Sequence, residues 1–163
     1  MAIKNRSTVY DEKVDSNRAA LEHRATWMGL TYDEALKAGA DAEAITRNAI
    51  KRTGYIHGAA KKAACADPQK LCEFSKVFVN DLTKSTFQMD YTNCTDEDFE
   101  VEFHYCPLVA AWQKLGFDDE TIAKLCDMAM DGDRAIVEPM GYKFELTETI
   151  AAGDPICRLH FHK

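Results

Sequence analysis

The sequence lacks any long run of apolar residues, and no stretch approaches the roughly 18 that a membrane-spanning helix needs. No apolar run follows the first charged residues, so no secretory signal is visible. Basic residues are in the minority, 20 against 27 acidic ones, which gives a net charge of −7 and disfavours nonspecific binding to nucleic acid or acidic membranes. We therefore expect a cytoplasmic protein with no nucleic-acid or membrane partner.

Several motifs of familiar catalytic and metal sites are missing as well. No two cysteines have the Cys-x-x-Cys spacing, which argues against a zinc ribbon or a thioredoxin-type redox motif. There is no glycine-rich phosphate loop, no His-Glu-x-x-His and no Gly-x-Ser-x-Gly. The chemistry has to come from another set of residues.

What the chain does contain suits one globular domain over residues 1–163, with 1–40 as an N-terminal helical segment. A domain of this size buries roughly 70% of its unfolded surface, so its core needs no metal or disulfide. The six cysteines are therefore expected to be reduced, and most should pack in the core.

The first half of the chain has the pattern of helices. Residues 31–34 have the form of a capping box, which predicts a short helix that Gly39 ends. Asp41 can cap a long helix over residues 41–66, and Asp67-Pro68 predicts a further helix start. The apolar faces of these two helices are predicted to comprise Ile45, Ala49, Ile56, Ala60 and Ala63, then Leu71, Phe74, Phe78 and Leu82.

Near residue 84 the apolar period changes from the helical spacing to two. The predicted elements are strands over 87–92 and 99–105, helices over 107–115 and 120–130, and strands over 142–146 and 157–162. This order predicts an α+β fold: a helical N-terminal half packed on a mostly antiparallel sheet of about four strands, with helices inserted between hairpins.

Cys106 is the most informative candidate for catalysis. It ends a predicted strand, and Pro107 suits the first turn of the next helix. Free backbone N–H groups and the positive end of the helix dipole favour a thiolate there. We therefore expect the pKa of this thiol to lie below the ordinary value of ~8.5. The other interpretation is a buried cysteine that precedes a helix by accident.

Other candidates have equally ordinary structural interpretations. Cys126 belongs to a helical apolar stripe, and Cys157 shares a strand face with apolar residues, so both suit the core. Carboxylates in or beside loops are usually caps. Candidate bases or ligands are His104, His160 and His162, and the loop carboxylates are Asp127, Asp131, Asp133 and Asp154.

These cysteines and their neighbours resemble the L-2-amino-thiazoline-4-carboxylic acid hydrolase family. The matching residues are Cys106-Pro107-Leu108, Leu115-Gly116, Leu125-Cys126, Asp131, Gly153-Asp154, Cys157 and Phe161, and Cys94 fits a strand-end cysteine often found there. The resemblance marks residues 41–163 as a hydrolase-like region, whose histidine-rich last strand departs from the family pattern. The ending Gly-Asp-x-x-Cys-x-x-x-Phe is also similar to vinyl-reductase-type sensory domains.

The resemblance implies hydrolytic opening of a cyclic isothiourea or similar amidine to an N-carbamoyl amino acid, with no cofactor. A Cys106 thiolate could attack the ring carbon, while Asp154 or Asp131 orients water or holds the amidinium. His104 could move protons if the strand persists to Cys106, which would put both side chains on one face. Cys94, Cys126 and Cys157 would then be pocket or structural residues.

Two alternatives stay open. Cys106, Cys126 and Cys157 could converge on a soft metal that activates water. The protein could also be a non-enzymatic domain that senses a small ligand or a metal through a cysteine-lined pocket. For the hydrolase and for the small-ligand sensor, the expected partner is a small molecule. The sequence is also compatible with a homo-oligomer.

Overall fold

A computed structural model describes residues 2–163, in which six α-helices and four β-strands form an α+β fold. The antiparallel sheet and the helices before and between its strands confirm the predicted architecture. The helices are α1 (Glu12–Lys37), α2 (Ala42–Ala64), α3 (Leu71–Phe78), α4 (Asp81–Phe87), α5 (Pro107–Lys114) and α6 (Asp119–Val137), and the strands are β1 (Met89–Cys94), β2 (Asp98–Phe103), β3 (Lys143–Glu148) and β4 (Cys157–His162).

The sheet has the order β1-β2-β4-β3, and each neighbouring pair is antiparallel. Alternation along β2 and β4 sends their apolar side chains to one face, where Val101 pairs with Leu159 and Phe99 stacks on Phe161. All four of these side chains are buried against the helices. The polar side chains between them, Glu100 and His160 among them, occupy the outer face.

Glycines set the distance between α2 and α6. A Cβ on Gly54 would lie 2.4 Å from the carbonyl oxygen of Gly132, and one on Gly58 would lie 2.5 Å from that of Ile136. The two backbones therefore touch along the side of α2 that carries these glycines. The predicted apolar face of α2 is wrong, because Ile45 and Ile56 are exposed and the small residues are buried instead.

Several boundaries differ from the sequence prediction, and the helix start predicted at Asp67-Pro68 lies instead at Leu71. Residues 31–34 do not begin a helix, because α1 runs unbroken from its cap at Asp11 to Lys37 and buries Ala25 and Gly29 beside α5. The predicted stripe from Leu71 to Leu82 is divided between α3 and α4, since the Asn80 side chain caps a new helix. Phe87 ends α4 and does not belong to β1.

Within residues 2–163, no helix is both long and apolar enough to cross a membrane.

Candidate active site

A cavity of about 300 Å³ lies between α1, α2 and α6 and reaches the inner face of the sheet. Its inner end is apolar and includes Phe103 and Leu159 from the strands. Exposed residues of α1 and α2, Arg24, Thr53 and His57, line the opposite end. A volume at the small end of the usual range for ligand pockets suits a small molecule.

Cys106, Cys126 and Cys157 all line this cavity, although each comes from a different element. Cys106 precedes α5, Cys126 lies on α6 and Cys157 begins β4. Burial raises the pKa of all three thiols; it brings that of Cys157 to about 12 and that of Cys126 well above its ordinary value. The family resemblance therefore grouped three cysteines that line one cavity, and burial favours the thiol form of each.

The expectation of a lowered pKa at Cys106 is wrong. Backbone N–H groups of Leu108 and Val109 do favour the thiolate, as a helix N-terminus should, but burial outweighs them and raises the pKa. Any reaction through this sulfur needs a base that takes its proton.

Sequence reasoning listed Asp133 among the ordinary loop carboxylates and did not predict that it lines the site. It lies on α6 seven residues after Cys126, and Ala129 and Met130 line the cavity between them. Burial raises the pKa of its carboxyl to about 6, although Arg24 and Lys61 act in the opposite direction. The available signal was its spacing, since Asp133 continues the apolar stripe of α6 that begins at Ile122 and Leu125.

Cationic side chains stand beside this carboxyl. Lys61 lines the cavity, and burial lowers the pKa of its ammonium group, which donates a hydrogen bond to the Val77 carbonyl at 3.0 Å. Arg24 is near enough to affect the pKa of both Asp133 and Cys106. The cavity thus combines apolar walls with charges of both signs.

The structure places Asp131 and Asp154 outside the cavity lining. Asp131 accepts hydrogen bonds from Arg47 at 3.0 Å and from Arg134 at 2.6 Å, so it ties α6 to α2. Asp154 accepts a hydrogen bond from the Thr149 backbone N–H at 2.9 Å, inside the turn before β4. Both carboxylates have the structural role that is usual for turns and helix surfaces.

His104 and Cys94 are also elsewhere. β2 ends at Phe103, so the chain turns before Cys106, and the condition that would have put His104 beside it is not met. His104 instead lies 3.2 Å from Asp90 on the outer side of the sheet. Cys94 is exposed at the end of β1, with its sulfur 3.3 Å from the Ser75 hydroxyl.

The proposed convergence of three cysteines on one metal is not supported by the spacing of their sulfurs. Within residues 2–163, the sulfurs of Cys106, Cys126 and Cys157 do not all lie within 4.8 Å of one another, as a shared ion would require. The arrangement is better suited to binding an organic molecule whose polar groups meet Asp133 and the cations.

Fold and cavity together define a helix-rich α+β protein with an internal cavity that apolar and charged side chains line. The sequence places it more narrowly: residues 18–161 match the L-2-amino-thiazoline-4-carboxylic acid hydrolase family, and the chain belongs to that family. No curated protein sequence matches the chain.

A solved structure shares the fold. It is a trafficking protein particle complex subunit 3 from Naegleria fowleri covalently bound to palmitic acid, with a TM-score of 0.53 and 11% sequence identity. The likeness covers 86% of this chain and 95% of that one. At this identity it establishes a common fold and no common activity.

Proposed function

We propose that this protein hydrolyses a small cyclic isothiourea that carries a carboxylate, a compound like 2-amino-thiazoline-4-carboxylate, to an N-carbamoyl amino acid. The observation that carries the proposal is the half-buried Asp133 carboxyl in the cavity lining, whose pKa of about 6 leaves it ionised yet basic at neutral pH. Groups with this property in a cavity are typical of active sites. Family membership supports the same reaction class.

The charges of the cavity match such a substrate. Its amidinium would meet Asp133, and its carboxylate would meet Arg24 or Lys61, in each case through charge-assisted hydrogen bonds. The sulfur-containing ring would lie against the apolar inner end. With the substrate bound in this orientation, its electrophilic ring carbon would lie on the same side of the cavity as the thiols.

Cys106 is the proposed nucleophile and Asp133 the proposed base. Asp133 takes the thiol proton, the sulfur bonds to the ring carbon, and the ring C–S bond breaks as the released sulfur takes a proton. Water then adds to the enzyme-bound carbon, the bond to Cys106 breaks as this sulfur takes back a proton from the added water, and the N-carbamoyl product leaves. The sum is one substrate and one water consumed.

The test is hydrolysis of 2-amino-thiazoline-4-carboxylate by the purified protein, with product measured by mass spectrometry. For the wild type, kcat/KM should rise with pH through about 6, since the base must be ionised. Asp133→Asn should lose about 10²–10⁴-fold in kcat/KM together with that pH dependence. Cys106→Ser should lose at least as much and remain folded, whereas Cys65→Ser should match the wild type.

Asp131→Asn and Asp154→Asn separate this proposal from the sequence-based alternative. Both should keep most of the activity, because their side chains bond to Arg47 and to the Thr149 backbone. Near-normal activity of folded Cys106→Ser would end the nucleophile proposal. Failure of the wild type to hydrolyse this compound, hydantoins and N-carbamoyl amino acids would overturn the hydrolase proposal itself.

A second candidate is a binding domain for an apolar acid, and the apolar inner end of the cavity favours it. The solved structure of the same fold holds palmitic acid covalently. Saturated fatty acids would then raise the Tm of this protein in proportion to ln(1 + [L]/Kd). A rise in Tm without any hydrolysis would support this candidate over the enzyme.

A further inference from the structure

The outer face of the sheet carries a cluster of two histidines and a glutamate that the cavity does not use. His160 and His162 lie on the same face of the central strand β4, and Glu145 lies directly opposite His160 on β3. One ligand atom from each residue can be chosen so that all three lie within 4.8 Å of one another. Phe161 and Leu159, which point inward, separate this cluster from the cavity.

The distances suit a small cation. His162 Nε2 lies 3.4 Å from Glu145 Oε1, and His160 Nδ1 lies 3.9 Å from Glu145 Oε2. Ligands about 2.1 Å from a tetrahedral zinc ion are separated by about 3.4 Å. Small side-chain rotations would therefore bring all three ligands onto one ion.

The second nitrogen of each histidine already has a hydrogen-bond acceptor. His160 Nε2 is 2.7 Å from Asp98 Oδ2, and His162 Nδ1 is 3.0 Å from the Lys163 carbonyl oxygen. Carbonyl and carboxylate oxygens only accept, so these nitrogens carry the protons. Metal-binding histidines are held in the same way, by a carboxylate or backbone carbonyl on the nitrogen away from the ion.

When both imidazoles are neutral, Glu145 faces two nitrogen lone pairs. A carboxylate beside two acceptors is an unfavourable arrangement unless a proton or a cation lies between them. Within residues 2–163, no lysine or arginine forms an ion pair with Glu145. Arg158, the nearest cation on β4, is occupied by Glu100, Glu102 and Glu148.

We propose that His160, His162 and Glu145 form a site for a divalent transition-metal ion, Zn²⁺ in the first place. Two imidazoles and one carboxylate are ligands that zinc accepts, and a fourth position would stay open to water. The side chains of His160 and His162 are 25% and 23% exposed, so the ion can enter from solvent. This site is independent of the proposed hydrolase cavity and lies on the other side of the sheet.

The experiment is Zn²⁺ binding to the purified full chain, measured by equilibrium dialysis, with the ligand atoms identified by X-ray absorption. We expect one ion per chain with nitrogen and oxygen neighbours and no sulfur. His160→Gln and His162→Gln should each weaken binding at least about tenfold. Asp98→Asn should weaken it about 10–100-fold through the orientation of His160.

Two control variants locate the ion. His23→Gln removes a histidine from α1, and Cys94→Ser removes the exposed sulfur at the end of β1, so neither should change the affinity. The proposal is overturned if the wild type binds no Zn²⁺, if sulfur appears among the neighbours, or if the double variant of His160 and His162 binds as tightly as the wild type. None of these results would bear on hydrolysis, which is measured separately.

Discussion

The wall of the cavity and the solvent-facing surface use the same residue types for different purposes. On α6, Asp131 and Asp133 are separated by one residue, yet Asp131 is bonded to two arginines and Asp133 faces the cavity. On β4, Cys157 faces inward and His160 faces outward. The difference teaches that the role of a side chain in this protein depends on which face of its helix or strand it occupies. Residues that are close in sequence therefore need not share a role.

The comparison also explains why the two surfaces need different partners. On the outer surface the Asp131 carboxylate is satisfied by two arginines, so it stabilises the contact between α6 and α2. A carboxyl in the cavity keeps a raised pKa because burial disfavours its charge, and it is left available for a ligand. The same contrast separates the buried thiols from the exposed Cys94.

The largest expected effect on folding is that of Cys157→Ser. Cys157 is buried beside apolar residues, so a hydroxyl there should lower the free energy of unfolding by roughly 1–3 kcal/mol. Cys94→Ser, on the exposed end of β1, should change it by less than about 0.5 kcal/mol. Urea denaturation measures both values, and equal effects would show that the two surfaces do not differ in this way.

Smaller changes in the free energy of unfolding should follow from Asp133→Asn and Asp131→Asn, and the two changes should have opposite signs. The native state raises the pKa of Asp133 to about 6, so it binds this proton more tightly than the unfolded chain does. The stability contributed by the protonated form is therefore present below pH ~4 and is lost as pH rises to about 6. At pH 7 Asp133→Asn removes an unfavourable charge and should raise the free energy of unfolding by about 1–2 kcal/mol.

Asp131→Asn should instead lower the free energy of unfolding by about 0.5–1 kcal/mol, because its bonds to Arg47 and Arg134 are weakened. Urea titrations at pH 7 and near pH 4 separate the two cases. The gain from Asp133→Asn should shrink toward the lower pH. A loss of stability in both variants at pH 7 would contradict the environment that we assign to Asp133.

The smallest perturbation is alkylation of the folded protein with iodoacetamide near neutral pH. Alkylation requires a thiol that is accessible and partly ionised, so the exposed Cys94 should react first. The buried cysteines should react at least about tenfold more slowly; they are Cys106, Cys126 and Cys157. Peptide mass spectrometry identifies the modified cysteine. Preferential modification of Cys106 would instead support the lowered pKa that its position before α5 predicted.

Sequence reasoning was most reliable where a local pattern has a local cause. The cap at Asp41, the helix end before Gly39, and the alternation along β2 and β4 are all short-range signals. It failed for the face of α2, because a helix rich in alanine and glycine packs by backbone approach and not by its largest apolar residues.

By itself the sequence determined the α+β class, the family and the set of cysteines that share one cavity, because each rests on spacing along the chain. Only the tertiary structure decided that Asp133, and not Asp131 or Asp154, lines the cavity with these thiols, and that burial raises the pKa of each thiol. It also decided that Glu145 joins His160 and His162 across two strands. Burial and cross-strand register are produced by residues far apart in sequence, so a local pattern carries no record of them.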